Sequence, residues 1–213
     1  MAKKLVNVSF VMPVLNEANY LAIAVESVFN QQCPGESELV IALGPSKDNT
    51  DEVAKRLKAK YGTRLQIVKN PRGITPAALN LAIKKAKHEV IVRVDAHSEL
   101  SPDYTKLAVE LLNKTGAANV GGMMVAKGTT DFQRAVAYGY NNRIGLGGGA
   151  FHVGGEAGPV ETVYLGGFRA EGLKELGGFS ETWVRGQDWE LNQRNRSSGK
   201  VVWFDPRLQV GYF

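Results

Sequence analysis

The segment EVIVRVDAH, residues 89–97, decides how the rest of the sequence is interpreted. Its run of Val and Ile residues is typical of a buried β-strand. Asp95 and His97 follow at once, so such a strand would present a carboxylate and an imidazole at its carboxyl end. Their spacing alone does not distinguish a ligand-binding pair from a turn-capping aspartate beside a surface histidine.

Three more strand-like runs precede this segment, and each is followed by apolar residues at helical spacing. The runs are NVSFVMPV (7–14), ELVIALG (38–44) and LQIVKN (65–70), and the predicted helices cover 21–29, 48–61 and 75–86. Asn49 and Glu52 are spaced as a capping box, and Thr75 and Pro76 suit the N-cap and first helical positions. The order predicts an α/β fold with a mainly parallel central sheet flanked by helices. In such sheets, ligands collect at the carboxyl ends of the strands.

The second half of the sequence is less regular. We predict helices at 101–112, 131–141, 170–178 and 188–198, and strands at 117–126, 161–168 and 200–206. The glycine-rich segment RIGLGGGAFHVGGEAGP, residues 143–159, is predicted to be a mobile surface loop. The final LQVGYF, residues 208–213, carries no terminating signal, so we expect the sequence to be part of a longer protein.

Charge is distributed unevenly along the 213 residues. The net charge is +5, and all of the excess lies in residues 61–95, which hold seven basic side chains against two acidic ones. This region is either a solvated surface or an attraction site for an anionic ligand or lipid headgroup. Nucleic acid is not an expected partner, because no aromatic residues are interleaved with the basic ones.

Cysteine usage and hydropathy indicate the compartment. The sequence has one cysteine, Cys33, and no apolar run near the roughly 20 residues that a membrane-spanning helix needs. We therefore expect a cytoplasmic protein, with peripheral association at the inner face of the membrane as an alternative.

Common phosphate-binding and nucleophile motifs are missing. The segment PVLNEANY, residues 13–20, follows the first strand where a dinucleotide-binding fold needs a glycine-rich turn. A phosphate-binding P-loop and a G-x-S-x-G nucleophile elbow are also absent. A divalent cation is then the expected partner of any phosphate, and Asp95 with His97 would supply a hard oxygen and an imidazole.

Four segments together resemble the family 2 glycosyltransferases of the GT-A fold. They are VSFVMPVLNEANYLAIAVESVFNQQ (8–32), NPRGITPAALNLAI (70–83), RVDAH (93–97) and LGGFRAEGLKELGGFSETWVRGQDWELNQRNRSSGKVVWFDP (165–206). RVDAH is similar to the family's Asp-x-Asp motif. Its Asp-x-His form resembles the branch of succinoglycan-type exopolysaccharide glucosyltransferases.

The resemblance implies an inverting glycosyltransferase of polysaccharide or glycolipid synthesis. It would move a sugar from a nucleoside diphosphate donor, most simply a UDP-sugar, to a hydroxyl of a glycan or lipid-linked acceptor. Residues 1–97 would form the nucleotide-sugar-binding half and residues 98–213 the acceptor half, which carries the base. The alternative is a catalytically silent module of the same fold that binds a nucleotide sugar or glycan.

Individual roles follow from the same resemblance. Asp95 and His97 would hold Mn²⁺ or Mg²⁺, Asp188 would be the catalytic base, and the donor contacts would be Pro13, Glu17, Asn80 and Asp95. Simpler explanations stay open: Pro13 could only end its strand, Asn80 could be an ordinary helix residue, and Asp188 could be a first-turn carboxylate that stabilises a helix.

The sequence departs from the family pattern at two places. Gln187 stands where the family usually has Glu beside the base. Leu43 and Gly44 occupy the positions of two aspartates, so uracil specificity cannot be carried over. Trp183 and Trp189 near the base suit either stacking on a sugar or packing in the core.

Overall fold

The computed structural model describes residues 5–145 and 149–213. In the first half, strands alternate with helices as predicted. The elements are β1 (Val8–Val14), α1 (Leu21–Phe29), β2 (Ser37–Leu43), α2 (Thr50–Tyr61), a 3-10 turn (Gly62–Arg64), β3 (Leu65–Lys69), α3 (Thr75–Lys85) and β4 (Val90–Arg93). β1 pairs in parallel with β2 and β4, and β2 pairs in parallel with β3.

The second half extends the same sheet. Its elements are β5 (Ser98–Leu100), α4 (Tyr104–Thr115), β6 (Asn119–Ala126), α5 (Asp131–Tyr140), α6 (Ala150–Val153), β7 (Gly158–Pro159), β8 (Tyr164–Arg169), α7 (Ala170–Glu175), α8 (Gln187–Ser197) and β9 (Val202–Tyr212). Within the described residues, the strand order is β3-β2-β1-β4-β8-β6-β9-β5, with β7 beside β9. β8 runs antiparallel to both β4 and β6, so the sheet is mixed in this half.

The two faces of the sheet carry separate apolar layers. Val8, Phe10 and Met12 of β1 point into the layer that contains α1, α2 and α4. Val11 points the other way, into the layer with α3 and Leu191 of α8. This alternation follows from the two-residue repeat of a strand. It determines which strand side chains can reach α8.

Several local predictions need correction. Asn49 is the N-cap of α2 but makes no capping bond through its side chain, so the capping box with Glu52 does not form. A capping box is found instead at α5, between Thr130 and Gln133. Thr75 is the first residue of α3 rather than its N-cap.

The glycine-rich segment predicted as a loop contains structured parts. α6 and β7 lie within it, while 146–148 fall outside the described residues. The last predicted strand, 200–206, continues through LQVGY to the end of β9. In the described part of the chain, no helix combines the length and apolarity required to cross a bilayer.

Candidate active site

A cleft of about 530 Å³ opens at the carboxyl ends of β1 and β4, beside the beginning of α8. Pro13, Glu17, Asp95 and His97, all predicted from the sequence, line it together. Residues 184–187 border the cleft from the other half of the chain. These four predicted residues and the beginning of α8 therefore share one cavity, as expected for ligand sites in open α/β sheets.

The loop that carries Glu17 is fixed by the turn after β2. The backbone N–H groups of residues 16–18 donate, in that order, to Ser46 Oγ at 3.0 Å, Thr50 Oγ1 at 2.7 Å and Asp48 Oδ2 at 3.1 Å. This turn lacks the family's two aspartates, yet its remaining polar residues hold the loop in place. The sequence alone did not indicate this role.

Glu17 in turn holds His97. Its Oε1 lies 2.7 Å from Nδ1 of the imidazole, and the ring of Tyr212 meets the imidazole edge-on at 4.9 Å between centroids. Burial opposes protonation of His97, but the hydrogen bond and charge of Glu17, with the charge of Asp95, outweigh it. The pKa of His97 is consequently raised above its usual value.

Arg93, the last residue of β4, connects Asp95, the predicted metal and donor ligand, to Asp188, the predicted base. Its side chain is 4% exposed. Nε and Nη2 donate to Oδ1 of Asp95 at 3.2 and 3.0 Å, and Nη1 donates to Oδ1 of Asp188. One guanidinium thus bridges the donor-side and base-side carboxylates, a connection that the sequence did not predict.

Asp188 lies in the first turn of α8, which begins at Gln187 after the N-cap Gly186. A carboxylate at this position is stabilised by the helix dipole. Asp188 is therefore a first-turn carboxylate, as the simpler explanation predicted. This position does not conflict with a catalytic role. Gln187 is buried and lines the cleft.

Asn80 does not line this cleft. Its Nδ2 donates to Phe179 O at 2.8 Å and to Glu181 Oε1 at 3.0 Å, and its Oδ1 accepts from Phe179 N at 2.9 Å. Gly178 lies so close that an added Cβ would be 2.6 Å from Oδ1 of Asn80. The hydrogen bonds of Asn80 therefore connect α3 to the segment that leads into α8.

The two tryptophans are not core residues. Trp183 and Trp189 are each 45% exposed, and their ring centroids lie 6.1 Å apart. Packing in the core, one of the two predicted roles, is therefore wrong. Both rings are accessible beside the beginning of α8.

The basic region also differs from expectation. Of its seven basic residues, Arg93 is buried in the site, while the other six are exposed and do not line the cleft (Arg64, Lys69, Arg72, Lys84, Lys85 and Lys87). Arg93 therefore lies within the site and contributes nothing to a surface patch.

The side chains of the cleft show whether it could hold a metal ion. Over residues 5–145 and 149–213, no three His, Cys, Asp or Glu side chains converge as a preformed metal site. Asp95 keeps Oδ2 and His97 keeps Nε2 once their contacts with Arg93 and Glu17 are made. Two ligands of this kind fit a divalent ion whose other positions are taken by diphosphate oxygens and water.

Comparison with protein-family models matches residues 9–177 to Glycosyl transferase family 2. The chain belongs to this family. The match includes Asp95 and His97 and ends before α8. The resemblance inferred from the four sequence segments is confirmed.

Two curated relatives extend the match over nearly the whole chain. The succinoglycan biosynthesis protein ExoA of Rhizobium meliloti (strain 1021) is 32% identical over 205 residues, covering 95% of this chain and 62% of that protein. A Methanococcus voltae protein is 27% identical, covering 97% of this chain and 66% of its own length. It is named dolichyl N-acetyl-alpha-D-glucosaminyl phosphate 3-beta-D-2,3-diacetamido-2,3-dideoxy-beta-D-glucuronosyltransferase. This family 2 chain spans less than two thirds of both relatives.

Among solved structures, residues 1–349 of S. aureus TarS superpose with a TM-score of 0.69 at 16% identity. The superposition covers 97% of this chain and 60% of that one. Together with the family match, it confirms the predicted GT-A fold, with a mixed α/β sheet flanked by helices.

Proposed function

We propose that this family 2 chain is the catalytic domain of an inverting glycosyltransferase. It transfers a sugar from a nucleoside diphosphate sugar to an acceptor hydroxyl in polysaccharide or glycolipid synthesis. The observation that carries the proposal is that Arg93, Asp95 and His97 line one cleft and that Arg93 joins Asp95 to Asp188, which follows the lining residue Gln187. Residues 1–97 contribute the donor side, and residues 98–213 contribute the acceptor side and the base.

The activities for which similar proteins are named support the substrate classes. TarS has been crystallised with UDP and with UDP-GlcNAc, which supports a UDP-sugar donor. The Methanococcus voltae relative is named for a dolichyl-linked acceptor, which supports a glycan or lipid-linked acceptor here. The six exposed basic side chains of residues 61–95 support placement at the inner face of a membrane, near anionic headgroups.

The base-side chemistry requires one carboxylate. Asp188 accepts the proton of the acceptor hydroxyl as that oxygen attacks the anomeric carbon from the face opposite the diphosphate. The new bond from oxygen to carbon forms while the bond from carbon to the diphosphate oxygen breaks, so one displacement inverts the centre. A second carboxylate nucleophile, which a retaining double displacement needs, has no role here.

The donor side is formed by Pro13, Glu17, Asp95 and His97 around the cleft. Oδ2 of Asp95 and Nε2 of His97 would hold Mn²⁺ or Mg²⁺. When bound, such an ion neutralises charge on the departing diphosphate. Glu17 orients the imidazole, and the turn after β2 fixes Glu17.

A panel of UDP-, GDP-, dTDP- and ADP-sugars with Mn²⁺ tests the proposal, with donor hydrolysis as the readout. We expect wild type to hydrolyse at least one donor. Asp188→Asn should keep donor binding and lose roughly 100-fold or more in transfer, the usual scale for a positioned base. Asp131→Asn is the matched control, because Asp131 is also a first-turn aspartate, on α5. Its turnover should be unchanged.

Two results would contradict the proposal. Near-normal turnover in Asp188→Asn would remove Asp188 from the mechanism. Tight binding of a donor without hydrolysis or transfer in wild type would favour the alternative, a silent binding module.

A further inference from the structure

Arg93 is a buried cation inside an otherwise apolar strand. The four residues of β4 are all buried, and Ile91 packs in the same layer as Leu191 of α8. Because side chains two apart share a face of a strand, Arg93 points toward α8 as well. Burying a guanidinium is costly unless charged partners compensate, and Asp95 and Asp188 are those partners.

The hydrogen bonds of Arg93 distinguish the two oxygens of each carboxylate. Oδ1 of Asp95 accepts from Nε and Nη2, and Oδ1 of Asp188 accepts from Nη1. Oδ2 of each carboxylate is left free of this cation. One rigid guanidinium thereby sets the rotation of both groups.

We propose that Arg93 is a positioning residue that selects Oδ2 of Asp188 as the proton acceptor and Oδ2 of Asp95 as the donor-side ligand oxygen. The proposal rests on the proposed function, since it assigns atoms to roles stated there. In this assignment Arg93 acts through the two carboxylates and takes up no proton itself. It couples the two sides of the cleft, because displacing its side chain would release both carboxylates together.

Lysine cannot replace this geometry. A guanidinium presents several N–H groups in a fixed plane, whereas an ammonium is a point charge on a flexible stem. Arg93→Lys keeps the charge and should keep the fold, yet it loses the fork that joins Asp95 to Asp188. The substitution therefore separates positioning from charge neutralisation.

The test is a double-mutant cycle between Arg93→Lys and Asp188→Asn, with transfer and Mn²⁺-dependent donor binding measured separately. In wild-type background, Arg93→Lys should lower turnover about 10- to 100-fold, the scale for a misplaced catalytic group. It should also weaken donor binding, because Asp95 is released. In the Asp188→Asn background, the same change should still weaken donor binding, but it should lower the residual transfer by a clearly smaller factor, because only the contribution of Asp95 is left to lose.

A merely structural role for Arg93 would lower transfer by the same factor in both backgrounds, and that result would overturn the proposal. Wild-type turnover in Arg93→Lys, with Asp188→Asn inactive, would also overturn it. Near-normal turnover in Asp188→Asn alone would instead refute the proposed function, so the two failures are distinguishable. Thermal unfolding of each variant confirms that the compared proteins are folded.

Arg207→Lys is the matched control. Arg207 also donates two hydrogen bonds to a buried carboxylate, from Nε to Asp205 Oδ1 at 2.9 Å and from Nη2 to Asp205 Oδ2 at 2.7 Å. It does not line the cleft. Its turnover should match wild type.

Discussion

Oε1 of Glu17 lies 2.7 Å from Nδ1 of His97, and this contact joins segments 80 residues apart in the chain. A carboxylate that accepts from one ring nitrogen fixes the tautomer and leaves the other nitrogen for a ligand. Glu17, expected from the family to contact the donor, therefore has a second role as the partner of His97. Nε2 is the atom that this arrangement leaves for a metal ion.

The first prediction concerns metal preference. Imidazole suits later first-row ions, whereas Mg²⁺ prefers oxygen ligands and keeps its waters. We expect wild type to work better with Mn²⁺ than with Mg²⁺. His97→Asp should narrow the difference, and His97→Ala should weaken metal-dependent donor binding.

Calorimetric titration of the sugar donor, with Mn²⁺ and with Mg²⁺, into wild type, His97→Asp and His97→Ala measures this preference. His88→Ala is the control, because His88 does not line the cleft. If His97→Ala binds donor like wild type with both ions, His97 is not a ligand.

The second prediction concerns the nucleobase. Leu43 and Gly44 stand where the family usually has two aspartates, which accept hydrogen bonds from the nucleobase. The backbone N–H of Gly44 already donates to Val14 O at 2.8 Å. Affinity should then come mainly from the diphosphate side. We expect UDP and GDP to bind within about 100-fold of each other, or roughly 2.7 kcal/mol. A larger preference for UDP would show that other groups in the cleft read the base.

The fold was predictable because local patterns and topology agree in the first half. The apolar strand runs and helical spacing before Asp95 correspond to β1–β4 and α1–α3. The mixed half was harder, because its strands pair with distant partners. β9, for example, pairs with both β5 and β6. Its residues after Pro206 are recognisable as a strand only from this pairing.

The site was partly predictable for the same reason. Motif matching proposed Asp95, His97 and Asp188 as site residues, but it could not show which of their atoms meet. Arg93 was counted with a surface charge cluster, although its position inside the apolar run VIVRV was the available signal for a buried functional cation. Asn80 matched a family position, yet its contacts run to Phe179 rather than into the cleft.

The third prediction concerns pH and stability. Glu38 is buried at the amino end of β2, and it accepts hydrogen bonds from Ser9 Oγ at 2.8 Å, Gln66 Nε2 at 2.7 Å and Lys87 N at 2.8 Å. Burial opposes ionisation of Glu38, but these hydrogen bonds outweigh it, so the pKa of Glu38 is lowered. Its stabilising contribution is present above the unfolded pKa, near 4.3, and is lost as pH falls through the folded value.

Glu38→Gln should therefore lower the free energy of unfolding at pH 7 by about 1.5–3 kcal/mol, the scale for hydrogen bonds to a charged group. The difference from wild type should shrink as the pH falls below the unfolded pKa. Denaturant unfolding at several pH values measures it. Glu26→Gln is the control, since Glu26 forms an exposed pair with Lys60. An unchanged difference across the pH range would show that the ionised carboxylate is not the stabilising group.

The last prediction asks whether Asn80 anchors the segment before α8 or contacts the sugar donor directly. Its amide makes two hydrogen bonds with the backbone of Phe179 and a third with Glu181, and the chain continues from there to Asp188. Asn80→Ala should lower the free energy of unfolding by about 1–3 kcal/mol, because buried backbone groups lose their partners. Turnover should fall as the beginning of α8 shifts, while donor affinity stays within about threefold, or less than 1 kcal/mol.

Asn141→Ala is the matched control for Asn80→Ala, because Asn141 clamps Ala126 in the same way, with both backbone contacts at 3.0 Å. That variant should lose stability but keep its turnover, since Asn141 does not line the cleft. Unfolding and donor titration on both variants decide between the roles. If Asn80→Ala weakens donor binding tenfold or more and leaves stability unchanged, Asn80 contacts the donor directly, as the family resemblance implied. Its hydrogen bonds to Phe179 would then have to open when the donor binds.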